Sequence, residues 1–147
     1  MTSYRNENSI DYVSSVKYGP NELANTILSG SSDKSIRLWD IRFGQQIQVF
    51  NGHTNQVFSV EYSPFVIKNN IGNSNVICSG SSDNTIRFWD TRSNKEELYV
   101  IEGDEKKDYG IYCLKFIELK KKDQTNNVTY NLILCYGSSR GRIGLWG

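Results

Sequence analysis

Short segments rich in β-branched and aromatic residues recur along the chain, and polar clusters of Gly, Ser, Asp and Asn separate them. Val57, Val60 and Tyr62 belong to one such segment, and Ile86 and Phe88 belong to another. These side chains are typical of β-strands, and no segment has a helical period. The pattern predicts an all-β chain, with strands near residues 12–18, 26–31, 34–40, 46–50, 57–62, 76–81, 84–90, 97–102, 111–117, 131–137 and 141–146.

A segment of the chain returns nearly unchanged further along. Residues 29–40 read SGSSDKSIRLWD and residues 79–90 read SGSSDNTIRFWD, so only three positions differ. A weaker copy at residues 136–147 keeps the Gly-Ser-Ser centre, the Ile and the Trp. A second motif precedes each copy, at residues 13–20, 57–64 and 111–118. Two blocks in a fixed order indicate a repeat architecture.

The polar centre of each strong copy predicts a tight turn. Residues 31–34 read Ser-Ser-Asp-Lys, and residues 81–84 read Ser-Ser-Asp-Asn. Asp and Ser side chains can hydrogen-bond to the nearby backbone and so favour turns. We therefore expect each turn to join two antiparallel strands.

The motifs of the second repeat resemble one complete WD repeat. They are Gly52-His53, the strand end Tyr62-Ser63-Pro64, the Ser-Gly-Ser-Ser-Asp turn, and Trp89-Asp90. The resemblance to the WD-repeat family covers nearly all of the chain after residue 10. It implies a partial β-propeller of about three four-stranded antiparallel blades around a central channel. We assign residues 1–9 to an N-terminal extension or partial strand, and residues 10–51, 52–103 and 104–147 to blades one, two and three.

The third repeat departs from the family pattern and is expected to form an incomplete blade. Gly103-Asp104 stands in place of Gly-His, Arg140 in place of the turn Asp, and Gly147 in place of the final Asp. The segments between the motifs also vary in length. The last of these, residues 119–130, is charged and rich in Asn, and it predicts a solvated, mobile loop. A phosphate-binding patch at Lys120, Lys121 and Lys122 is the alternative for this segment.

The family resemblance also implies a buried hydrogen-bond network inside each blade. It joins the His before the first strand, a Ser of the second strand, the turn Asp and the Trp. The corresponding residues are His53, Ser79, Asp83 and Trp89 in blade two, and Ser29, Asp33 and Trp39 in blade one. The same residue types suggest a Ser-His-Asp catalytic site as an alternative. However, a nucleophile must be exposed, and the chain has no Gly-x-Ser-x-Gly motif, so we expect no catalytic residues and no enzyme activity.

Composition excludes several other kinds of function. Lys and Arg number 17 against 16 for Asp and Glu, and the net charge of +1 provides no field that attracts nucleic acid or an anionic membrane. One His and dispersed Cys residues predict no metal site, and no phosphate-binding loop predicts a cofactor. The sequence has no long apolar run and no secretory signal, so we expect an intracellular protein of the cytoplasm or nucleus. Cys78, Cys113 and Cys135 are expected to be reduced core residues.

The function expected from the resemblance is that of a protein-interaction scaffold or adaptor. Family positions at the start of each blade's first strand and before the turn Asp line the top face of the propeller. Tyr12, Phe58 and Tyr112 are the candidate anchors because aromatic residues dominate interfaces, although aromatic residues in strands are commonly core. The candidate positions are Tyr12, Ser14, Ser32, Gln56, Phe58, Ser82, Gly110, Tyr112 and Ser139.

Two Trp-Asp-x-Arg motifs suggest an alternative function. They end in Arg42 and Arg92. The motif resembles the one by which some WD proteins bind the adaptor of cullin-RING ubiquitin ligases, which would make the protein a substrate receptor or another subunit of a modifying complex. The simpler interpretation is that both arginines are exposed charges at strand ends.

Three blades are fewer than a closed propeller needs. Propellers typically close with about four to eight blades, because each blade covers the apolar face of its neighbour. We therefore expect the outer faces of blades one and three to be covered. The cover is either further blades of a longer chain, which the chain end within a motif favours, or a second copy that completes a six-bladed ring. An open arc is the third possibility.

Overall fold

The computed structural model describes residues 11–20, 23–64, 75–93, 97–122 and 128–147, with the backbone alone for residues 121–122 and 128–130. These residues form three antiparallel sheets, which confirms the prediction of an all-β, partial propeller. None of the described residues forms a helix that is long and apolar enough to cross a membrane.

Each sheet is one blade, and its strands are adjacent in chain order. Blade one contains β1 (Val13–Tyr18), β2 (Thr26–Ser31), β3 (Ile36–Asp40) and β4 (Gln45–Phe50). Blade two contains β5 (Val57–Tyr62), β6 (Val76–Ser81), β7 (Thr85–Asp90) and β8 (Glu97–Glu102). Blade three contains β9 (Ile111–Lys122), β10 (Val128–Ser138) and β11 (Ile143–Trp146).

The hairpin of blade three is longer than the sequence predicts. The pairing of β9 with β10 continues from Leu119 opposite Asn131 to Lys122 opposite Val128. The prediction of a loop was therefore wrong for residues 119–122 and 128–130, and residues 123–127 lie outside the described part of the chain. Backbone pairing in a strand does not depend on apolar side chains, so a polar hairpin can extend beyond the packed core. The proposed lysine patch lies in β9, not in a loop.

The predicted tight turns are confirmed. The amide N of Lys34 lies 3.2 Å from the carbonyl O of Ser31, and that of Asn84 lies 3.1 Å from the carbonyl O of Ser81. Lys34 and Asn84 have positive φ angles of 73° and 66°, and Gly141 takes the same position in blade three with a φ of 74°. Each turn thus reverses the chain between the second and third strands of its blade.

Consecutive blades pack face to face, and we call each such interface a joint. The first joint buries Leu28 and Phe50 of blade one against Val57, Val60 and Trp89 of blade two. The second joint buries Cys78, Ile86 and Phe88 of blade two against Ile111, Leu114 and Leu134 of blade three.

A glycine in the second strand of blade one and of blade two allows this close packing. A Cβ atom on Gly30 would lie 2.8 Å from Cγ1 of Val57, and one on Gly80 would lie 2.7 Å from Cγ2 of Ile111. Real Cβ atoms do not approach other atoms so closely. We call these positions glycine notches, since each receives a β-branched residue from the following blade.

Polar contacts between the inner strands β1, β5 and β9 repeat from joint to joint. The Ser15 hydroxyl oxygen accepts a hydrogen bond of 3.2 Å from the backbone N–H of Val60. In the next joint the Ser59 hydroxyl oxygen accepts one of 3.2 Å from the N–H of Leu114. The two joints therefore share one register.

The expectation that all three cysteines belong to the core was wrong for two of them. Cys78 is buried in the second joint, whereas Cys113 is exposed and Cys135 is partly exposed. Cys113 stands at the position of Ser59 in blade two, and blade three covers Ser59. No described residue covers the corresponding side of blade three, so burial at this position depends on a following blade.

Candidate functional site

A continuous hydrogen-bond network runs through blade two. His53 Nδ1 lies 2.8 Å from Asp83 Oδ2, and His53 Nε2 lies 2.8 Å from the Ser79 hydroxyl oxygen. The indole N–H of Trp89 donates to the same hydroxyl oxygen over 3.1 Å. The network joins the segment before β5 to the β6–β7 turn, to β6 and to β7. It thus holds together four parts of the blade that are distant in sequence.

Asp83 is the most heavily bonded member of this network. Its carboxylate also accepts hydrogen bonds from the backbone N–H groups of Thr54 and Thr85, at 2.9 and 3.0 Å, and from the Thr85 hydroxyl at 2.7 Å. Burial alone would raise the pKa of the Asp83 carboxyl, but the hydrogen bonds from His53 and Thr85 outweigh burial and hold the pKa well below its usual range. The ionised carboxylate is therefore the form that the fold stabilises.

Asp83, His53 and Ser79 follow the order of a hydrolytic triad, but the environment of Ser79 differs from that of a nucleophile. The Ser79 side chain is 0% exposed, and its oxygen already accepts the Trp89 N–H. A nucleophilic serine must contact a substrate carbonyl beside oxyanion donors. Ser79 has no such access in this fold.

Blade one contains part of the same arrangement. The Trp39 indole donates to the Ser29 hydroxyl oxygen over 2.9 Å. The Asp33 carboxylate pairs with the Arg37 guanidinium at 2.8 Å instead of with a histidine. Asn8 and Ser9, which occupy the Gly-His position in the sequence, lie outside the described residues.

Blade three contains a different polar cluster, which sequence reasoning missed. Asp108 is buried, and its carboxylate accepts a hydrogen bond of 3.5 Å from the Tyr136 hydroxyl. Arg142 lies 3.7 Å from the other carboxylate oxygen, and the backbone N–H of Asp104 donates to the carboxylate over 2.9 Å. Tyr136 stands where Ser79 stands in blade two. The phenol at this position and the absence of a histidine at position 104 were the sequence signals that the polar network of blade three differs from that of blade two.

The candidate partner-binding residues form a row across the three blades. The Tyr12 hydroxyl donates to Gln56 Oε1 over 3.1 Å, between blades one and two. Phe58 and Tyr112 stack between blades two and three, with ring centroids 4.2 Å apart and an interplanar angle of 17°. Tyr12 is 55% exposed and Tyr112 is 48% exposed. We call Tyr12, Gln56, Phe58 and Tyr112 the interblade row.

The candidate serines connect this row to the turns. The backbone N–H groups of Ser32, Ser82 and Ser139 donate to the carbonyl groups of Tyr12, Gln56 and Gly110, respectively, at 3.0, 2.9 and 3.2 Å. Ser14 instead points into the first joint, where its hydroxyl contacts the carbonyl groups of Gly30 and Val57. The Ser14 hydroxyl is therefore used in contacts inside the joint.

An open cavity lies next to the row, between blades two and three. Its volume is about 390 Å³, and it is lined by Ser82, Asp83, Asn84, Glu105 and Tyr109. Tyr109 has a φ of 55°, an unfavourable conformation for an aromatic residue, and the Arg140 guanidinium lies 5.2 Å from the centre of its ring. The sequence pattern did not single out Glu105 or Tyr109, because they follow no family motif.

The two arginines of the Trp-Asp-x-Arg motifs are each held by the aspartate two residues earlier. Arg42 Nη2 lies 2.7 Å from Asp40 Oδ2, and Arg92 Nη2 lies 3.0 Å from Asp90 Oδ2. In both pairs the arginine Nε also donates to the second carboxylate oxygen over 3.1 Å. Hydrogen bonds from the arginines lower the pKa of both aspartates. The interblade row lies near the turns that precede β3 and β7, whereas Arg42 and Arg92 follow the other ends of these strands. The two arginines therefore do not contact the row.

Metal-binding side chains do not gather in the part of the chain that the structure describes. His, Cys, Asp and Glu residues form no group of three that could hold a metal ion there.

Antiparallel sheets of four, four and three strands that stack through equivalent joints define a segment of a β-propeller. The family model described as "WD domain, G-beta repeat" matches residues 4–40 and 44–90, which together make up more than half of the chain. The chain belongs to this WD40 repeat family.

Curated relatives share short stretches with the chain. Transcription initiation factor TFIID subunit 5 of Caenorhabditis elegans is 36% identical over 52 residues, which cover 35% of this chain and 8% of that protein. The guanine nucleotide-binding protein subunit beta of Lymnaea stagnalis is 50% identical over 40 residues, which cover 27% of this chain and 12% of that protein. The matches thus span a small part of each relative.

The fold resembles a solved propeller over nearly the whole chain. The crystal structure of the WD40 β-propeller domain of Doa1 superposes with a TM-score of 0.65 and 19% sequence identity. The match covers 95% of this chain and 38% of that chain. This likeness concerns the fold alone.

Proposed function

We propose that this chain acts as a protein-interaction scaffold or adaptor and that the interblade row binds a protein or peptide partner. The observation that carries the proposal is the row itself. Its two tyrosines are about half exposed, yet each is held by a residue of the neighbouring blade. A partner therefore meets aromatic surface that is already ordered, which reduces the entropy lost on binding.

The chemistry of the row favours a polypeptide partner. Tyr12 and Tyr112 combine an apolar ring with a hydroxyl group, and such side chains are enriched in the energetic centres of protein interfaces. The nearby Ser32 and Ser82 supply small polar groups at the rim. The balanced net charge of +1 gives no support to nucleic acid as the partner.

The test compares Tyr12→Ala and Tyr112→Ala with Tyr99→Ala as a matched control. Tyr99 is a tyrosine of similar exposure that also packs on an aromatic ring, that of Trp146, but it lies in β8 outside the row. Immobilised chains are incubated with cell extract, bound proteins are identified by mass spectrometry, and the affinity of the main partner is then measured by titration.

We expect the two variants in the row to weaken partner binding by about tenfold or more, because an aromatic centre of binding contributes about 2 kcal/mol. Tyr99→Ala should leave the affinity unchanged. Equal affinity in all three variants, or a loss confined to Tyr99→Ala, would contradict the proposal.

The proposal assigns no catalytic role to the chain. Ser79 and His53 are buried, and their side chains hydrogen-bond to each other and to Asp83 inside the blade, which supports the absence of a catalytic role. We also infer an intracellular site of action, in the cytoplasm or nucleus. Relatives such as a TFIID subunit and the transcriptional repressor rco-1 of Neurospora crassa are consistent with that location.

A second candidate is docking to the adaptor of a cullin-RING ubiquitin ligase, in which the chain acts as part of a substrate receptor. The two-point pairs Arg42–Asp40 and Arg92–Asp90 favour it, because they orient both guanidinium groups before a partner arrives. Its test is titration of the adaptor protein against the chain and against the double variant R42A/R92A. Arg140→Ala, at the other end of the blades, is the control. Loss of binding in the double variant alone supports this candidate, and no binding by the unmodified chain excludes it.

A further inference from the structure

The open cavity between blades two and three contains chemistry that the interblade row does not use. The five residues that line it are Ser82, Asp83, Asn84, Glu105 and Tyr109. Two of these residues are acids, one is aromatic, and none is a cation. The cavity volume of about 390 Å³ lies within the range of about 300 to 1,000 Å³ that is typical of ligand sites.

Two segments of the chain that are distant in sequence form the cavity. The β6–β7 turn supplies three of the lining residues, and the segment between β8 and β9 supplies Glu105 and Tyr109. Asn84 connects the two segments. Its carbonyl O accepts a hydrogen bond of 2.8 Å from the N–H of Gly103, and its Oδ1 accepts one of 2.9 Å from the N–H of Gly110. Both sides of the cavity thus belong to the described part of blades two and three.

Glu105 is the acid of this cavity that is available to a ligand. The neighbouring acids already have cationic partners. Asp104 lies 3.0 Å from Lys107, and Asp108 lies 3.7 Å from Arg142. Glu105 is exposed and forms no ion pair with any residue that the structure describes. A cation that enters the cavity therefore meets a carboxylate that is not yet neutralised.

Asp83 adds negative charge to the cavity without binding the ligand directly. Its side chain is 5% exposed, and both carboxylate oxygens already accept hydrogen bonds inside blade two. Burial alone would raise the pKa of this carboxyl, but these hydrogen bonds hold the pKa well below its usual range, so the charge persists at neutral pH. Because opposite charges attract more strongly in a partly buried site than in bulk water, Asp83 favours a cation beside Glu105.

Tyr109 supplies the apolar surface of the cavity. Its side chain is 69% exposed, and the ring is held from within the fold. The Arg140 guanidinium lies 5.2 Å from the ring centre, and Arg140 Nη1 donates to the carbonyl group of Lys106 over 2.5 Å. An aromatic ring attracts the charged end of lysine and arginine side chains and packs against their methylene stems.

The cavity adjoins the interblade row. A Cβ atom on Gly110 would lie 3.4 Å from Cα of Ser82 and 3.5 Å from Cε2 of Tyr112. Gly110 thus lies between a lining residue of the cavity and a member of the row. The backbone N–H of Ser82 also donates to the carbonyl group of Gln56. One extended polypeptide can therefore cover the row and the cavity together.

We propose that this cavity receives the side chain of a lysine or arginine from the polypeptide that binds along the interblade row. The methylene stem of that side chain lies on the Tyr109 ring. Its charged end pairs with the Glu105 carboxylate and donates to the Ser82 hydroxyl oxygen. The inference rests on the proposed function, and it adds that the bound segment of the partner carries a basic residue.

The first experiment titrates the full chain with Nα-acetyl-lysine N-methylamide and follows the backbone amides by two-dimensional NMR. The arginine compound and the Nε-acetylated lysine compound, which is uncharged, are separate arms. We expect the shifts to centre on Ser82, Asn84, Tyr109 and Gly110. The uncharged compound should bind about fivefold more weakly, since it cannot form the ion pair. Binding of both charged compounds should weaken at higher ionic strength, because salt screens a partly exposed ion pair.

Variants of the two ligand-contacting residues test the geometry. Glu105→Gln should weaken binding of the lysine compound by about fivefold, whereas Glu118→Gln, an exposed glutamate in the extended hairpin, should have no effect. Tyr109→Gly removes the ring but suits the φ of 55° at this position, so binding should weaken while the fold is retained. Tyr109→Phe keeps the ring and should bind normally. Thermal unfolding checks that every variant is folded.

The partner identified with the row variants is then titrated against Glu105→Gln and Tyr12→Ala. Loss of affinity in both variants supports both proposals. Loss in Glu105→Gln alone supports the cavity and contradicts the row. Loss in Tyr12→Ala alone would overturn this inference and leave the row in place, and no loss in either variant would overturn both. A lysine compound that does not bind, or that binds Glu105→Gln as tightly as the unmodified chain, would also overturn the inference.

Discussion

His53 and Asp83 are 30 residues apart in the chain, yet Nδ1 of the imidazole lies 2.8 Å from Oδ2 of the carboxylate. This contact connects the segment that enters β5 to the turn between β6 and β7. It lies inside blade two, where both side chains are almost fully buried. A buried pair of this kind stabilises a blade only while both partners remain.

Replacement of His53 by Ala should lower the free energy of unfolding by about 1 to 3 kcal/mol, because it leaves the Ser79 hydroxyl and the Asp83 carboxylate with fewer partners in a buried site. Urea denaturation followed by tryptophan fluorescence measures the change. Thr54→Ala is the control, since Thr54 contacts Asp83 through its backbone N–H alone. A His53→Ala variant as stable as the Thr54→Ala variant would show that the network does not stabilise the blade.

Stability should depend on the ionisation of Asp83. Because the folded-state pKa of this carboxyl lies below the unfolded value of about 3.9, its ionised form stabilises the fold above that pH, and the contribution is lost as pH falls through the folded value. The difference in unfolding free energy between the native chain and Asp83→Asn should therefore be largest near neutral pH and narrow below about pH 4. Denaturation curves over a pH series test this, with Glu118→Gln as an exposed control. A difference that is constant with pH would contradict it.

The glycine notch at Gly80 should not tolerate a side chain. Gly80→Ala places a Cβ atom 2.7 Å from Cγ2 of Ile111, and such overpacking typically costs about 1 to 3 kcal/mol. Ile111→Ala removes the opposing atom, so the double variant should be more stable than the sum of the two single changes predicts. Thermal unfolding of the four proteins in this cycle gives the coupling energy. Strict additivity would mean that the two residues do not meet as described.

Asp108 should be as important to blade three as the His53 network is to blade two. Asp108→Ala leaves the Tyr136 hydroxyl and Arg142 without their shared carboxylate, and we expect a loss of about 1 to 3 kcal/mol in unfolding free energy. Asp104→Ala is the matched control, because Asp104 pairs with Lys107 at the surface. Surface ion pairs contribute only about 0 to 1 kcal/mol. Similar losses of unfolding free energy in both variants would show that Asp108 stabilises blade three no more than a surface aspartate does.

The strands and turns could be predicted because the signals that define them are local. The residue pattern of β6 and β7 lies within each strand, and the Asp83 side chain caps its own turn by bonding to Thr85 two residues later. The repeat of this pattern in blade one then predicted the neighbouring blade. These features depend on residues that are close in sequence, so they could be recognised without a structure.

Contacts between distant residues were decided by the tertiary structure alone. Asp108 meets Tyr136 only because β9 and β10 pair. That pairing is also longer than predicted, because the polar ends of the two strands have no apolar pattern that the sequence analysis could detect. Exposure was equally beyond the sequence. Val16 and Val60 have the same side chain at the same place in the repeat, but among the described residues only Val60 is covered by a preceding blade. Burial is a property of what packs against a residue, and that is set by the assembly of blades.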